Sequence, residues 1–317
     1  MVEKAKKKKR RKILVTGSSG MLGIDLYGEL SENYEVIGLD ISEPVSRLAG
    51  RPVHFVQCNI IDKDKTKKFI INEKPDIIIH AAAWTDVDGC EKDPEKTKKI
   101  NTIGTENVTL SASKLDIPLL YISTDFVFDG NKKSPYIEED VPSALNVYGK
   151  SKLEGEKAVR TLDKYVIIRS GWLYGSNGKN FVNAILDRTR KEKELKVVND
   201  QIGAPTYTKD LAKAIHKLIE VSLRGTKDER RMTRGIYHIT NRGEVSWFDY
   251  AKEIMKIAKI KNTKVVPITS SQLDRPAKRP AFSLLDNTKF EKAVGFVMRP
   301  WQEALKEYLC GITISKP

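Results

Sequence analysis

Six short runs of continuous apolar residues recur through the first 170 positions: Ile13–Thr16, Val36–Leu39, Val53–Val56, Ile77–Ala82, Leu119–Ser123 and Val166–Arg169. A strand with one wet face alternates apolar and polar residues. A strand that is apolar throughout is buried on both faces, which is the condition of a parallel sheet covered by helices on either side. Helical patterns fall between the runs, over Met21–Leu30, Lys63–Ile71, Pro94–Lys114 and Ala144–Leu162. Strand and helix in alternation, joined by right-handed crossovers, predict an α/β chain with a doubly wound parallel sheet. After about residue 171 the pattern loosens. Loops rich in Gly, Asn and Pro appear at Gly175–Lys179 and Asn199–Pro205, with helices expected over Asn180–Lys191, Thr208–Leu218 and Trp247–Ala258. Ser246 is placed to cap the last of these. Pro267–Pro280 and the charged stretch Arg224–Arg234 read as loops, and no internal repeat of solenoid period is present.

The first strand runs directly into Thr16-Gly-Ser-Ser-Gly-Met-Leu-Gly23. Gly17 supplies a sharp exit from the strand. Gly20 lets backbone approach a pyrophosphate, and Gly23 lets the helix pack closely on the sheet. The helix start then offers free N–H groups and a positive dipole end to phosphate. Asp40 closes the second strand, 17 residues past Gly23. There a carboxylate can accept both ribose hydroxyls of NAD and would repel a 2′-phosphate, so NADH is favoured over NADPH. The expected organisation is a basic tail over residues 1–11 and a dinucleotide-binding (Rossmann) domain over 12–174, with a returning segment near 197–240. A smaller, discontinuous α/β C-terminal substrate domain is expected over 175–196 and 241–317.

Composition removes other classes. The formal net charge is +14, and half of that excess lies in the first twelve residues, with eight Lys and Arg against Glu3 alone. Such a tail binds phosphates without sequence preference. It carries no interleaved aromatic residue for base stacking, so no specific nucleic-acid function is expected. No apolar stretch approaches a membrane span, and no h-region follows the basic start. Cys58, Cys90 and Cys310 form no CxxC and fit a reducing, cytoplasmic setting. His54, His80, His216 and His238 lack ligand spacing, and no metal site is expected.

Tyr148 and Lys152 stand at i,i+4 in a helical pattern and therefore share a face. A nearby ammonium favours the phenolate and brings a tyrosine closer to proton exchange near neutrality. Y-x-x-x-K alone is common on solvated helices. Here it is joined by Ser123-Thr124-Asp125 at the C-terminal end of a central strand, the sheet edge where ligands bind. Thr124 is placed to hydrogen-bond the carbonyl oxygen that Tyr148 protonates. Alone, these hydroxyls would simply cap the strand.

The motifs TGSSGMLG, HAAAWTDVDGCE, YISTDFVFDG and YGKSK resemble those of extended short-chain dehydrogenase/reductases. Arg169-Ser-Gly-Trp-Leu-Tyr174, Asn199-Asp-Gln-Ile-Gly-Ala-Pro-Thr206, Gly235-Ile-Tyr-His238 and Arg279-Pro-Ala-Phe-Ser283 narrow the resemblance to the dTDP-4-dehydrorhamnose reductase family, over residues 12–309. The resemblance implies NAD(P)H-dependent reduction of the C4 ketone of dTDP-4-dehydro-β-L-rhamnose, with Tyr148 giving the proton and Lys152 holding the nicotinamide ribose. It places Thr124 and Asp125 on the sugar and Trp172 in its pocket, although a core aromatic is the plainer reading of Trp172. It sets Gly20, Met21 and Leu22 against the pyrophosphate, and Ala82, Ala83, Thr85 and Ile122 along the cofactor cleft. Asn59-Ile60 departs from the family, which often has an acidic residue there to hold adenine. Asn101 reads equally as a site or a structural residue. The family uses NADH or NADPH, and some members bind magnesium through glutamates that have no match here. The implied partner is a dTDP-linked 4-keto sugar, and a homodimer is compatible with the resemblance. Two other readings stay open: another nucleotide-sugar epimerase or reductase of this fold, and a non-catalytic regulatory subunit built on it.

Overall fold

The computed structural model describes residues 10–43, 54–224 and 234–314. The expected tail, apart from Arg10 and Arg11, and nearly all of Arg224–Arg234 lie outside the described residues. The first part contains β1 (Lys12–Thr16), α1 (Met21–Leu30), β2 (Glu35–Asp40), β3 (His54–Gln57), α2 (Lys63–Glu73), β4 (Ile77–His80), α3 (Val87–Lys92), α4 (Pro94–Thr97), α5 (Gly104–Leu115), β5 (Leu119–Thr124), α6 (Val147–Val159) and β6 (Tyr165–Ser170). Then follow β7 (Leu173–Tyr174), α7 (Phe181–Thr189), β8 (Glu194–Val198), β9 (Ile202–Gly203), β10 (Thr206–Tyr207), α8 (Thr208–Arg224), β11 (Gly235–His238), β12 (Val245–Ser246), α9 (Trp247–Ile257), β13 (Lys264–Ile268), α10 (Thr288–Val294) and α11 (Trp301–Ile314).

Seven strands form one sheet in the order β11-β6-β5-β4-β1-β2-β3, and every neighbouring pair is parallel. Strand order reverses between β1 and β4, the switch point where doubly wound sheets open a crevice. The continuous apolar runs have a direct cause. Ile13 and Val15 of β1, with Ile77 and Ile79 of β4, face α1 and α8. The intervening Leu14 and Ile78 face α2, α5 and α6 on the other side. Each such fully buried aliphatic side chain contributes roughly 1.5–3 kcal/mol.

Several boundaries differ from the sequence expectation; α8, for one, runs to Arg224 rather than Leu218. β4 stops at His80 rather than Ala82, because Ala81 and Ala82 turn to donate to the Thr16 carbonyl and hydroxyl. The helix expected over Pro94–Lys114 contains a π-helical stretch, Lys98–Ile103, between α4 and α5. The helix expected from Ala144 starts at Val147, where Asn146 caps it by accepting from Gly149 N at 2.8 Å. Ser246 caps α9 as expected, accepting from Asp249 N at 3.0 Å.

A second apolar cluster is built from α7, β8, α9 and α11, with Val182, Leu195, Tyr250, Ile254, Trp301 and Leu305 buried in it. Its β8–β13 pair is parallel and includes Pro267, so Pro267 and Ile268 belong to a strand and the loop begins after them. The described residues after 241 contribute to both clusters. Phe290 of α10 and Met298 join the large cluster under the main sheet, because α10 lies against β11. The ion pair of Arg299 with Asp210 and Glu307 fastens α8 to α11.

Candidate active site

The site is built on strand ends. A cavity of about 800 Å³ opens where β1, β2, β4, β5 and β6 terminate, and every residue singled out from the sequence as a site residue lines it. Gly17, Gly20, Met21, Leu22, Gly23 and Asp40 are at one end, with Asn59 and Ile60 beside them. Ala82, Ala83, Thr85 and Ile122 run along the middle. Thr124, Asp125, Tyr148, Lys152 and Trp172 are at the other end.

Gly17 has φ +71°, and a Cβ there would lie 2.6 Å from Ala82 N. A Cβ on Gly23 would strike the Gly17 carbonyl. The loop therefore needs glycine at both positions to lie flat under the helix start. α1 begins at Met21 with no side-chain cap and no acidic residue in its first turn. Its first N–H groups stay available to an anion, and the dipole adds a partial positive charge. A nucleotide pyrophosphate fits this cradle. Asp40 Oδ2 accepts from Ser19 N at 3.0 Å, and Oδ1 accepts from Ile41 N at 2.7 Å. These bonds tie the carboxylate to the glycine loop and to the turn after β2, at the edge of the cavity.

At the far end, Thr124 donates to Asp125 Oδ1 at 3.0 Å and is also the hydrogen-bond partner of Tyr148. Asp125 is buried against Gly171 and bonded to Ser283, and burial pushes its carboxyl up to about 6. Burial also raises the Tyr148 phenol above its ordinary value. The i,i+4 spacing predicts that Lys152 lowers it; in the folded chain desolvation is the largest influence and Thr124 supplies the one opposing hydrogen bond, so the phenol stays protonated. Lys152 is only 2% exposed, and burial pulls it down to about 7 against the opposing charge of Glu156. Asn101 is fully buried and does not line the cavity. It accepts from Trp84 N at 2.7 Å and donates to the Trp84 carbonyl and to Ser151 Oγ, so it pins the loop after β4 to α6.

Sequence reasoning missed a second cavity of about 320 Å³, which shares Phe126, Trp172 and Trp247 with the first. Trp172 has φ +51° and stacks on Trp247 with ring centroids 3.4 Å apart and planes 4° from parallel. Arg188, Lys196, Arg275 and Arg279 also line this cavity. Arg279 is held by a fork to Asp88 at 3.0 and 2.8 Å. Arg275 is desolvated, which lowers its pKa. The sequence signals were the motifs carrying Gln201 and Arg279–Ser283 together with cations of no common spacing, and nothing in them says that they meet at one cavity. Among the described residues, no group of three or more His, Cys, Asp or Glu side chains is arranged to hold a metal ion.

The family described as "RmlD substrate binding domain" matches residues 11–313. The chain belongs to this family, that of the dTDP-4-dehydrorhamnose reductases. It is 38% identical to the spore coat polysaccharide biosynthesis protein SpsK of Bacillus subtilis, over 94% of this chain and 96% of that one. It is also 38% identical to a dTDP-4-dehydrorhamnose reductase of Aggregatibacter actinomycetemcomitans, over 93% and 97%. A crystal structure of the Bacillus anthracis dTDP-4-dehydrorhamnose reductase in complex with NADP superposes with a TM-score of 0.84 at 34% identity, covering 96% of this chain and all of that one. The chain is thus an NAD(P)H-dependent nucleotide-sugar reductase by family. No helix among the described residues is long and apolar enough to cross a membrane.

Proposed function

We propose that this enzyme reduces the C4 ketone of dTDP-4-dehydro-β-L-rhamnose to dTDP-L-rhamnose, with Tyr148 as the proton donor. The observation that carries the reading is a single cavity with an anion-binding glycine loop at one end and Tyr148, Thr124, Asp125 and Lys152 at the other. A bound nicotinamide dinucleotide supplies the hydride. The chain's own residues do the rest. Tyr148 hydrogen-bonds the ketone oxygen, joined by Thr124 when its one hydroxyl proton turns from Asp125, and the two fix its position. Tyr148, kept protonated by burial, gives its proton as negative charge develops on that oxygen. Lys152 holds the nicotinamide ribose, and its charge stabilises the phenolate that is left. Met21 and Leu22 offer N–H groups to the pyrophosphate, and Asn59 and Ile60 border the adenine end.

The substrate's nucleoside diphosphate is assigned to the second cavity. Arg275 and Lys196 supply charge for its pyrophosphate, and the aromatic wall of Phe126, Trp172 and Trp247 separates base from sugar. In this division residues 12–174, with the return through α8 and β11, hold the dinucleotide, and the cluster around α7, α9 and α11 holds the substrate. Asp40 favours NADH, because its carboxylate repels a 2′-phosphate.

The test is oxidation of NADH and NADPH, followed at 340 nm, with dTDP-, UDP- and GDP-linked 4-keto sugars. Continuous one-for-one consumption is expected with the dTDP-linked 4-dehydrorhamnose, with the lower Kd for NADH. An epimerase of the same fold would interconvert sugars with no net loss of reduced cofactor. That result, or equal turnover of all three nucleotides, would overturn the assignment.

A further inference from the structure

We infer that Tyr121, a buried residue that does not line the cavity, is a positioning residue for Lys152: its ring face holds the lysine ammonium at the cofactor cleft. Lys152 Nζ sits 4.1 Å from the centroid of the Tyr121 ring, and both side chains are out of solvent, at 2% and 0% exposure. The electron-rich face of an aromatic ring attracts a cation, and more strongly where water is excluded. Among the described residues Lys152 forms no ion pair, and the ring face lies directly against its ammonium.

The ring is fixed in place. The Tyr121 hydroxyl donates to the Lys152 carbonyl at 3.4 Å and bonds Thr105. Its edge fits against Gly155, where a Cβ would collide with the phenol oxygen. His80 lies alongside, with centroids 5.5 Å apart. His80 is itself bonded to Thr16 Oγ1 at 2.6 Å and Thr105 Oγ1 at 3.0 Å.

The charged and titratable groups around Lys152 leave the ring this role. On α6, Glu156 lies one turn on, and its charge is already taken up by a fork to Arg169 of β6 at 2.9 and 2.7 Å. Tyr148, also on α6, stays neutral, and so does Tyr121 of β5, whose pKa is driven well above the usual range. His80 of β4 is held near 3 by burial and by Lys152 itself, so it brings no rival cation to the ring. A carboxylate in place of Tyr121 would occupy the ammonium's donors. A π face stabilises the charge without accepting conventional hydrogen bonds from it as a carboxylate would.

The inference rests on the reading that charged Lys152 holds the dinucleotide. The experiment measures NADH affinity by cofactor fluorescence between pH 6 and 10. It compares wild type, Tyr121→Phe, Tyr121→Leu and a protein with pentafluorophenylalanine installed at position 121, each first shown to melt cooperatively. Removing the electron-rich face lowers the Lys152 pKa, so affinity is lost at lower pH. Wild type and Tyr121→Phe are expected to share one alkaline limb. The leucine and pentafluoro proteins should lose affinity about one pH unit earlier, their deficit against wild type being smallest at pH 6 and approaching roughly tenfold above both limbs. If Tyr121→Leu does not fold, the pentafluoro protein, which keeps the ring's shape, decides. An unmoved limb in that protein overturns the role of Tyr121. A wild-type profile without a limb, or one that persists in Lys152→Met, overturns the Lys152 reading instead.

Discussion

Tyr148 and Asp125 show how burial sets proton chemistry one residue at a time. Tyr148→Phe keeps the ring that packs edge-on against Phe126 but removes the proton. The expected result is unchanged NADH affinity and a kcat lower by about 10²–10⁴-fold; near-wild-type kcat would refute the proton-donor role. Asp125 titrates at about 6 in the folded chain against 3.8 for a free aspartate. Between those values the native state keeps a proton that the unfolded state has lost. Stability therefore falls as pH rises through that window, by about 3 kcal/mol in total. Asp125→Asn should accordingly stabilise the fold at pH 7.5, with the gain shrinking toward zero near pH 4, while activity drops. Urea unfolding at the two pH values checks this, and a gain independent of pH would count against it. That Tyr148, Lys152 and Thr124 would meet at one sheet edge was legible in the sequence, the first two from their spacing and Thr124 from its place at a strand end. The direction of the Tyr148 shift was not, because it depends on what covers the phenol.

At the scale of elements, α6 carries Tyr148, Lys152 and Glu156 at successive four-residue steps, so one helix face holds all three. Glu156 ties that face to two strands: it accepts from Ser123 Oγ of β5 and from the Arg169 guanidinium of β6, each end of the pair being 1% exposed. Ser123 adjoins Thr124, so this contact helps set the distance between Thr124 and Tyr148. Glu156→Gln strands the buried guanidinium and is expected to cost about 3–5 kcal/mol. Urea denaturation measures it, and a loss below about 1 kcal/mol would show that the pair is not holding the helix. The strands were legible because burial on both faces leaves an uninterrupted apolar run. The π-helical stretch at Lys98–Ile103 was not, because the Asn101 contacts it accompanies reach Trp84 and Ser151 in other elements.

Over the whole molecule, the second cavity is closed by a contact between distant parts of the chain. Arg279 grips Asp88 of α3 across 191 positions, and Asn146 at the start of α6 donates to the Lys278 carbonyl at 2.7 Å. These contacts hold the segment bearing Arg275 and Ser283 against the catalytic wall. Arg279→Met is expected to raise KM for the sugar nucleotide about tenfold or more, with kcat and NADH affinity little changed. Isothermal titration with NADH, alongside steady-state kinetics, separates the two effects; a matching loss of NADH affinity would place Arg279 in the dinucleotide site instead.

The sequence by itself determined what depends on local period and local sterics: strands buried on both faces, a loop that only glycine can form beneath a helix start, and a tyrosine and lysine one helical turn apart. Only the tertiary structure decided what those groups face. It brought Arg188, Lys196 and the loop carrying Arg275 and Arg279 from three segments to one cavity, and it set Trp247 flat against Trp172. It also slid the Tyr121 ring beneath Lys152. Contacts between residues dozens to nearly two hundred positions apart leave no periodic trace in a single chain. They arise when helices and strands pack, and that packing shifts the pKa values of Tyr148, Lys152 and Asp125 by removing water.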